Sequence, residues 1–193
     1  MSIQLITPPA EEPVSVAEAK QHCRIEADAT DEDALLAGLI VAARQAAEHE
    51  TGRALVRQVW RMSLDAFPVA AIEAPHPPLI SVDEIRYIDP DGALQTLDET
   101  AYRLHRSSIS GLILPAYGTR WPATRLDVGA VEIDLTVGYG DAADVPQAIK
   151  HWMLLSIGTW YACRETVTSG QLSSLPRNAW DALLDPYRAW RAA

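Results

Sequence analysis

Apolar residues recur along this chain with two different periods, and the switches between them divide it into three parts. Ser15-Val16-Ala17-Glu18 has the pattern of a capping box, which predicts a helix from Val16 to about Arg24. A second helix follows. Thr30 or Asp31 can cap it, and Asp31, Glu32 and Asp33 sit at the positive end of its dipole. Leu35, Leu36, Leu39, Ile40, Ala43 and Ala47 share one face at helical spacing, and Gly52 suits a left-handed C-terminal cap. The period then falls to two. Trp60, Met62 and Leu64 alternate with polar residues, and Val131, Ile133, Leu135 and Val137 do so again. Between these runs, strands are predicted over 80–88, 93–97, 102–106 and 112–114, with a turn at Asp89-Pro90-Asp91-Gly92.

The helical period returns at Pro146, a good first helical residue. This third helix runs to about Glu165. Trp152, Met153, Leu154, Leu155, Ile157, Trp160 and Tyr161 cover nearly its whole circumference. A helix apolar all round is buried on all sides, either by its own chain or by neighbouring subunits. A last helical segment is expected from Pro176, with Trp180, Leu183, Leu184 and Tyr187 on one face and a kink or restart at Pro186. Residues 1–14 read as an extended lead-in, since Pro8, Pro9 and Pro13 block a helix.

Charge sharpens this outline. The net charge is -10, with ten Asp/Glu against three Lys/Arg in residues 1–52 and a slight basic excess only after residue 150. An acidic body argues against tight binding to a phosphate backbone, because that affinity comes from Lys and Arg displacing counterions. Cys23 and Cys163 lie far apart and suggest two free thiols in a reducing cytosol. No secretory signal is expected at the N-terminus. The apolar run from Trp152 to Cys163 is too short for a bilayer, which needs about 20 residues, so no membrane association is expected.

No reactive constellation accompanies the elements, so no catalytic, cofactor-binding or metal site is assigned. His22 and Glu26 share a helix spacing beside Cys23, but nothing completes a zinc set, and His22 reads as a surface residue. Cys163 reads as core packing. Ser107, Ser108 and Ser110 lack the nucleophile-elbow pattern. Gly138-Tyr139-Gly140 lacks the third glycine of a dinucleotide loop and reads as a turn. Arg57, Trp60 and Arg61 fit a strand with one wet face better than a base-stacking platform. The C-terminal end differs. Trp180, Tyr187, Arg188, Trp190 and Arg191 are of the types that anchor protein interfaces, although a core face would also account for Trp180 and Tyr187.

Taken in order, several short pieces resemble the head-tail connector, or head-completion adaptor, proteins of tailed bacteriophages, in the prophage-encoded branch with a strand-rich insertion. They are Ser15 to Lys20, Asp31-Glu32-Asp33, Glu50 to Leu55, Trp60 with Phe67-Pro68, Pro77-Pro78-Leu79 with Ser81-Val82, and Tyr87 with Asp89 and Asp91-Gly92. Gly138-Tyr139-Gly140, Val145-Pro146 with Ile149-Lys150, Tyr161 with Arg164-Glu165, and Leu183 to Arg188 continue the series.

The resemblance implies an α+β fold in one domain over 1–193. A small bundle of about four helices would occupy about 15–52 and 146–191, with an antiparallel β insertion over about 56–138 between helices 2 and 3. It further implies a structural virion protein rather than an enzyme, with no cofactor. About a dozen copies would form a ring beneath the portal protein, because cyclic rings close when one surface meets a different surface on the next copy. The ring would extend the DNA channel without binding DNA specifically and would present the surface on which tail or stopper proteins dock. The expected location is the virion neck, and the bacterial host cytoplasm during assembly. A tail-completion or neck protein on the other side of the joint is the alternative. A small metal-dependent hydrolase or nuclease is a third reading.

Overall fold

The computed structural model describes residues 1–163 and 180–189. Helix α1 (Val16–Cys23) opens on the expected capping box: the Ser15 amide donates to Glu18 Oε2 at 2.7 Å and the Glu18 amide to Ser15 Oγ at 3.2 Å. Helix α2 (Asp33–Thr51) starts one to two residues later than expected, with Glu32 as a cap that makes no side-chain capping bond. Leu36, Ile40, Ala43 and Ala47 form its buried stripe, while Leu35, expected on the same face, is exposed. Gly52 takes the left-handed cap at φ 69°. Helix α3 (Gln147–Ala162) buries Ile149, Trp152, Met153, Ser156 and Ile157, a stripe at helical spacing. The three helices pack on Val14, Leu55, Val56 and Leu184.

The remaining strands form two antiparallel sheets. The larger sheet contains β1 (Ser2–Thr7), β2 (Gln58–Leu64), β4 (Leu79–Ile88), β5 (Leu94–Thr96) and β8 (Val131–Val137), in the order β1-β2-β8-β4-β5. The smaller has β3 (Ile72–Glu73), β7 (Gly111–Pro115) and β6 (Tyr102–Arg106), in that order. Inward rows from both sheets share one core that includes Met62, Ile85, Ile113, Ile133 and Leu135. Residues 54–56 join the two parts: Ala54 lies in the sheet core, while Leu55 and Val56 lie in the helical one.

Several expectations need correction. Among the described residues three α-helices are complete, against about four expected. Of the described residues in the fourth region, Trp180 and Asp181 are helical, and turns and a 3-10 turn at Asp185–Tyr187 follow, where Pro186 cannot donate to a continuing helix. Residues 2–7 are a sheet strand, not merely a lead-in: the prolines that exclude a helix all follow them. Helix α3 is not covered on every side, since Leu154 and Leu155 are half-buried and Trp160 is exposed. Cys163 is exposed just beyond the α3 C-terminus, and His22 is half-buried against Gly158, where α1 crosses α3. The β insertion between α2 and α3 is as expected, with each predicted strand present.

Candidate interaction surfaces

The C-terminal segment folds back onto the end of α2. Leu184 is fully buried in the helical core, and Trp180, Leu183 and Tyr187 pack at its margin. Trp152 Nε1 donates to Asp181 Oδ1 at 3.3 Å, and the Ala189 amide donates to the Thr51 carbonyl at 2.7 Å. Arg188 is engaged within its own chain, with Asp185 at 3.1 Å and Glu50 at 3.3 Å. Trp180 and Tyr187 thus sit at the margin of the helical core, and Arg188 is tied to the end of α2. Trp190 and Arg191 lie outside the described residues.

Sequence reasoning missed what holds this segment. The Arg53 side chain is buried; its Nε donates to the Tyr187 carbonyl and its Nη1 to the Ser108 carbonyl. The guanidinium also lies 6.0 Å from the Tyr139 ring centre. One cation thus joins the bundle, the C-terminal segment and the β6–β7 turn. Burial raises the Tyr139 hydroxyl above its ordinary pKa, with nearby Arg53 opposing the shift. The available signal was a lone arginine directly after the Gly52 cap and before the apolar run Ala54-Leu55-Val56.

The residues weighed for chemistry serve local structure. Ser107 and Ser110 bond one another across the β6–β7 turn. A Cβ at Gly138, φ 118°, would stand 2.5 Å from the Val56 carbonyl oxygen, so this glycine marks a close approach of two backbones. Arg57 is exposed, while Trp60 Nε1 donates to Gln58 Oε1 at 3.1 Å. Among the described residues no three His, Cys, Asp or Glu side chains gather as metal ligands, and no helix is long and apolar enough to cross a membrane.

The outer face of the larger sheet carries a charge ladder. Arg61 binds both Asp134 oxygens, at 2.7 and 2.8 Å, and Arg86 reaches Glu132 at 3.0 Å and Asp134 at 3.4 Å. The hydrogen bonds from Arg61 hold the Asp134 carboxyl below the usual range, against the opposing effect of burial. The same contact raises Arg61. This face is wet, and both of these arginines are paired within it.

Apolar exposure concentrates elsewhere. Ile3 and Leu5 on β1, Leu94 on β5, and Leu126 and Val128 in the loop before β8 are exposed, as is Trp160 on α3. A sheet-and-bundle chain without an evident catalytic cluster, with uncovered apolar corners, is suited to contact with other chains.

Residues 13–88 match the family model described as the phage gp6-like head-tail connector protein. The chain resembles phage head-tail connectors. The matched segment runs from just before the Ser15 cap to the end of β4, so it includes α1, α2 and Arg53, but not the partners of Arg53. The likeness in fold extends over the whole chain. A chain in the neck of an empty gene transfer agent particle, computed with C6 symmetry, superposes with a TM-score of 0.83 at 26% identity, covering 100% of this chain and 98% of that one. A chain in the virion of the native gene transfer agent particle gives 0.83 at 25% identity with the same coverage. One in the native neck computed with C12 symmetry gives 0.80 at 24% identity, again over 100% and 98%, and supports the fold alone. No curated protein matches the chain.

Proposed function

We propose that this chain is a structural neck protein of a phage-like particle, a head-tail connector that assembles as a ring beneath the portal. The observation that carries this reading is the end-to-end likeness to a chain from a particle neck, joined to the connector signature over 13–88. One domain over 1–193 forms the subunit, and about a dozen copies close the ring by repeating one head-to-tail contact. The ring extends the DNA channel from the portal, and tail or stopper proteins dock on its far side. The protein acts without catalysis or cofactor. Its place is the neck of the virion, reached by assembly in the bacterial cytoplasm.

The chemistry supports a duct. A subunit of net charge -10 offers a passing duplex little to hold, since retention needs phosphate neutralisation by Lys and Arg. The Arg61–Asp134–Arg86 ladder pairs two of the available cations within the subunit.

Deletion of the gene from its particle-forming element tests the proposal. Electron microscopy of the lysate should show separate heads and tails, with the neck layer missing below the portal. Joined, infectious or DNA-transferring particles in normal yield would reject it.

A further inference from the structure

The larger sheet ends in two edges of different character. On one side β1 pairs only with β2, and all six of its residues are exposed. On the other, β5 pairs only with β4, and all three of its residues are exposed. Neither strand, Ser-Ile-Gln-Leu-Ile-Thr or Leu-Gln-Thr, carries a charge or a proline. Proteins that remain single protect such edges with lysine, proline or a covering element, because an open edge invites another chain.

The two edges also differ in shape. Ile3 and Leu5 stand opposite Met62 and Trp60, so they continue the inward row of β2. The smaller sheet ends nearby at the two-residue β3, and among the described residues no further strand covers this side of the sandwich. Two hollows flank the β1–β2 edge. One, of about 360 Å³, is lined by Met62, Leu64 and Ile72 among others; a second, of about 290 Å³, includes Leu5 and Trp60. The β5 side projects instead. Leu94 is 69% exposed and Leu126 94% exposed. Leu126 is placed at the β4–β5 hairpin by its neighbour Arg125, whose amide donates to the Ile88 carbonyl at 3.0 Å and whose guanidinium lies against Gly92. One edge is a trough with the apolar side chains of β1 and β2 on one wall and polar groups such as Arg44 and Glu48 on the other, and the opposite edge is an apolar corner.

We infer that the trough along β1 receives the Leu94–Leu126 corner of a second copy of this chain. The contact rests on the ring reading above and supplies its missing geometry. A cyclic assembly needs two different, mutually fitting surfaces on one subunit, placed so that the contact repeats. Strand order puts the trough and the corner at opposite ends of one rigid sheet. Neither edge strand carries a charge, so the strands themselves set no like charges against each other. Burying the two leucines and the two β1 side chains removes apolar area that the single chain leaves in water.

A disulfide trap tests this on the full-length chain with Cys23→Ser and Cys163→Ser. Leu5→Cys and Leu126→Cys are placed together in one chain and oxidised at high protein concentration, and the products are read on a non-reducing gel beside negative-stain images of the wild type. A ladder of dimers, trimers and longer species is expected, while each single-cysteine control stops at a dimer. The ladder supports the contact whether or not the rings close; filaments without rings would then count against the ring reading alone. Closed wild-type rings with no ladder overturn this contact and leave the ring standing. Neither ladder nor rings overturns both. Leu94→Asp with Leu126→Asp gives an independent readout: rings are lost while the far-ultraviolet spectrum stays unchanged, because both side chains are solvent-exposed in the subunit. Rings that persist in that variant also overturn the contact. Protection of Leu5→Cys from alkylation only when portal or tail proteins are added, without a ladder, would show a different occupant and reject a second copy.

Discussion

Arg53 is the residue on which most parts of the subunit converge. Its guanidinium serves carbonyls at Tyr187 and Ser108, which lie far apart in the chain. Arg53→Ala leaves both acceptors without that donor inside the protein, and such losses at charged bonds cost about 2–4 kcal/mol together. The expected result is a lower denaturation midpoint and earlier proteolysis after residue 180, measured by urea titration and limited digestion. At Asp134 the effect depends on pH. Its carboxyl titrates lower in the folded chain than in the unfolded one because Arg61 hydrogen-bonds to it. The ladder's contribution is therefore complete above the unfolded value of about 4 and fades as pH falls through the lowered folded value. Stability of the wild type minus that of Asp134→Asn should be positive at neutral pH and shrink from about pH 4 downwards. A difference that grows on acidification would contradict the assignment.

Among the elements, α3 is where burial is most uneven. Ile157 lies fully inside, while Trp160, one turn on, is exposed. Ile157→Ala should cost about 2–5 kcal/mol in the isolated chain. Trp160→Ala, at a side chain 36% exposed, should cost less than Ile157→Ala when both are measured by thermal unfolding. Periodicity predicted α3 and its Pro146 start well, because both follow from local sequence. It overstated the burial of α3: the sequence shows how much apolar surface a helix has, but not whether its own chain covers it. Alternation likewise revealed β2, β4 and β8, whose inward rows are continuous. It passed over β1, whose residues Ser2 to Thr7 show no clean alternation and owe their strand form to pairing with β2, more than fifty residues away. In the C-terminal segment, helical spacing pointed to a core-facing role for Trp180 and Tyr187, which pack at the margin of the helical core. The partners of this segment, Arg53, Glu50 and Thr51, belong to a distant stretch that no local pattern connects to it.

For the whole molecule, a small helical bundle and a two-sheet sandwich meet at residues 54–56, with Arg53 beside the junction. This arrangement leaves many polar groups tied within the subunit and uncovered apolar area at the sheet edges, which suits the proposed place in a ring. The end-to-end fold shared with a chain from a gene transfer agent neck suits the same purpose. Cryo-electron microscopy of necks purified from the particles that encode this chain tests that purpose most directly. The account predicts density for this chain as a closed ring of identical copies around the channel, directly below the portal. Necks with an intact channel wall from which this chain is absent would contradict it.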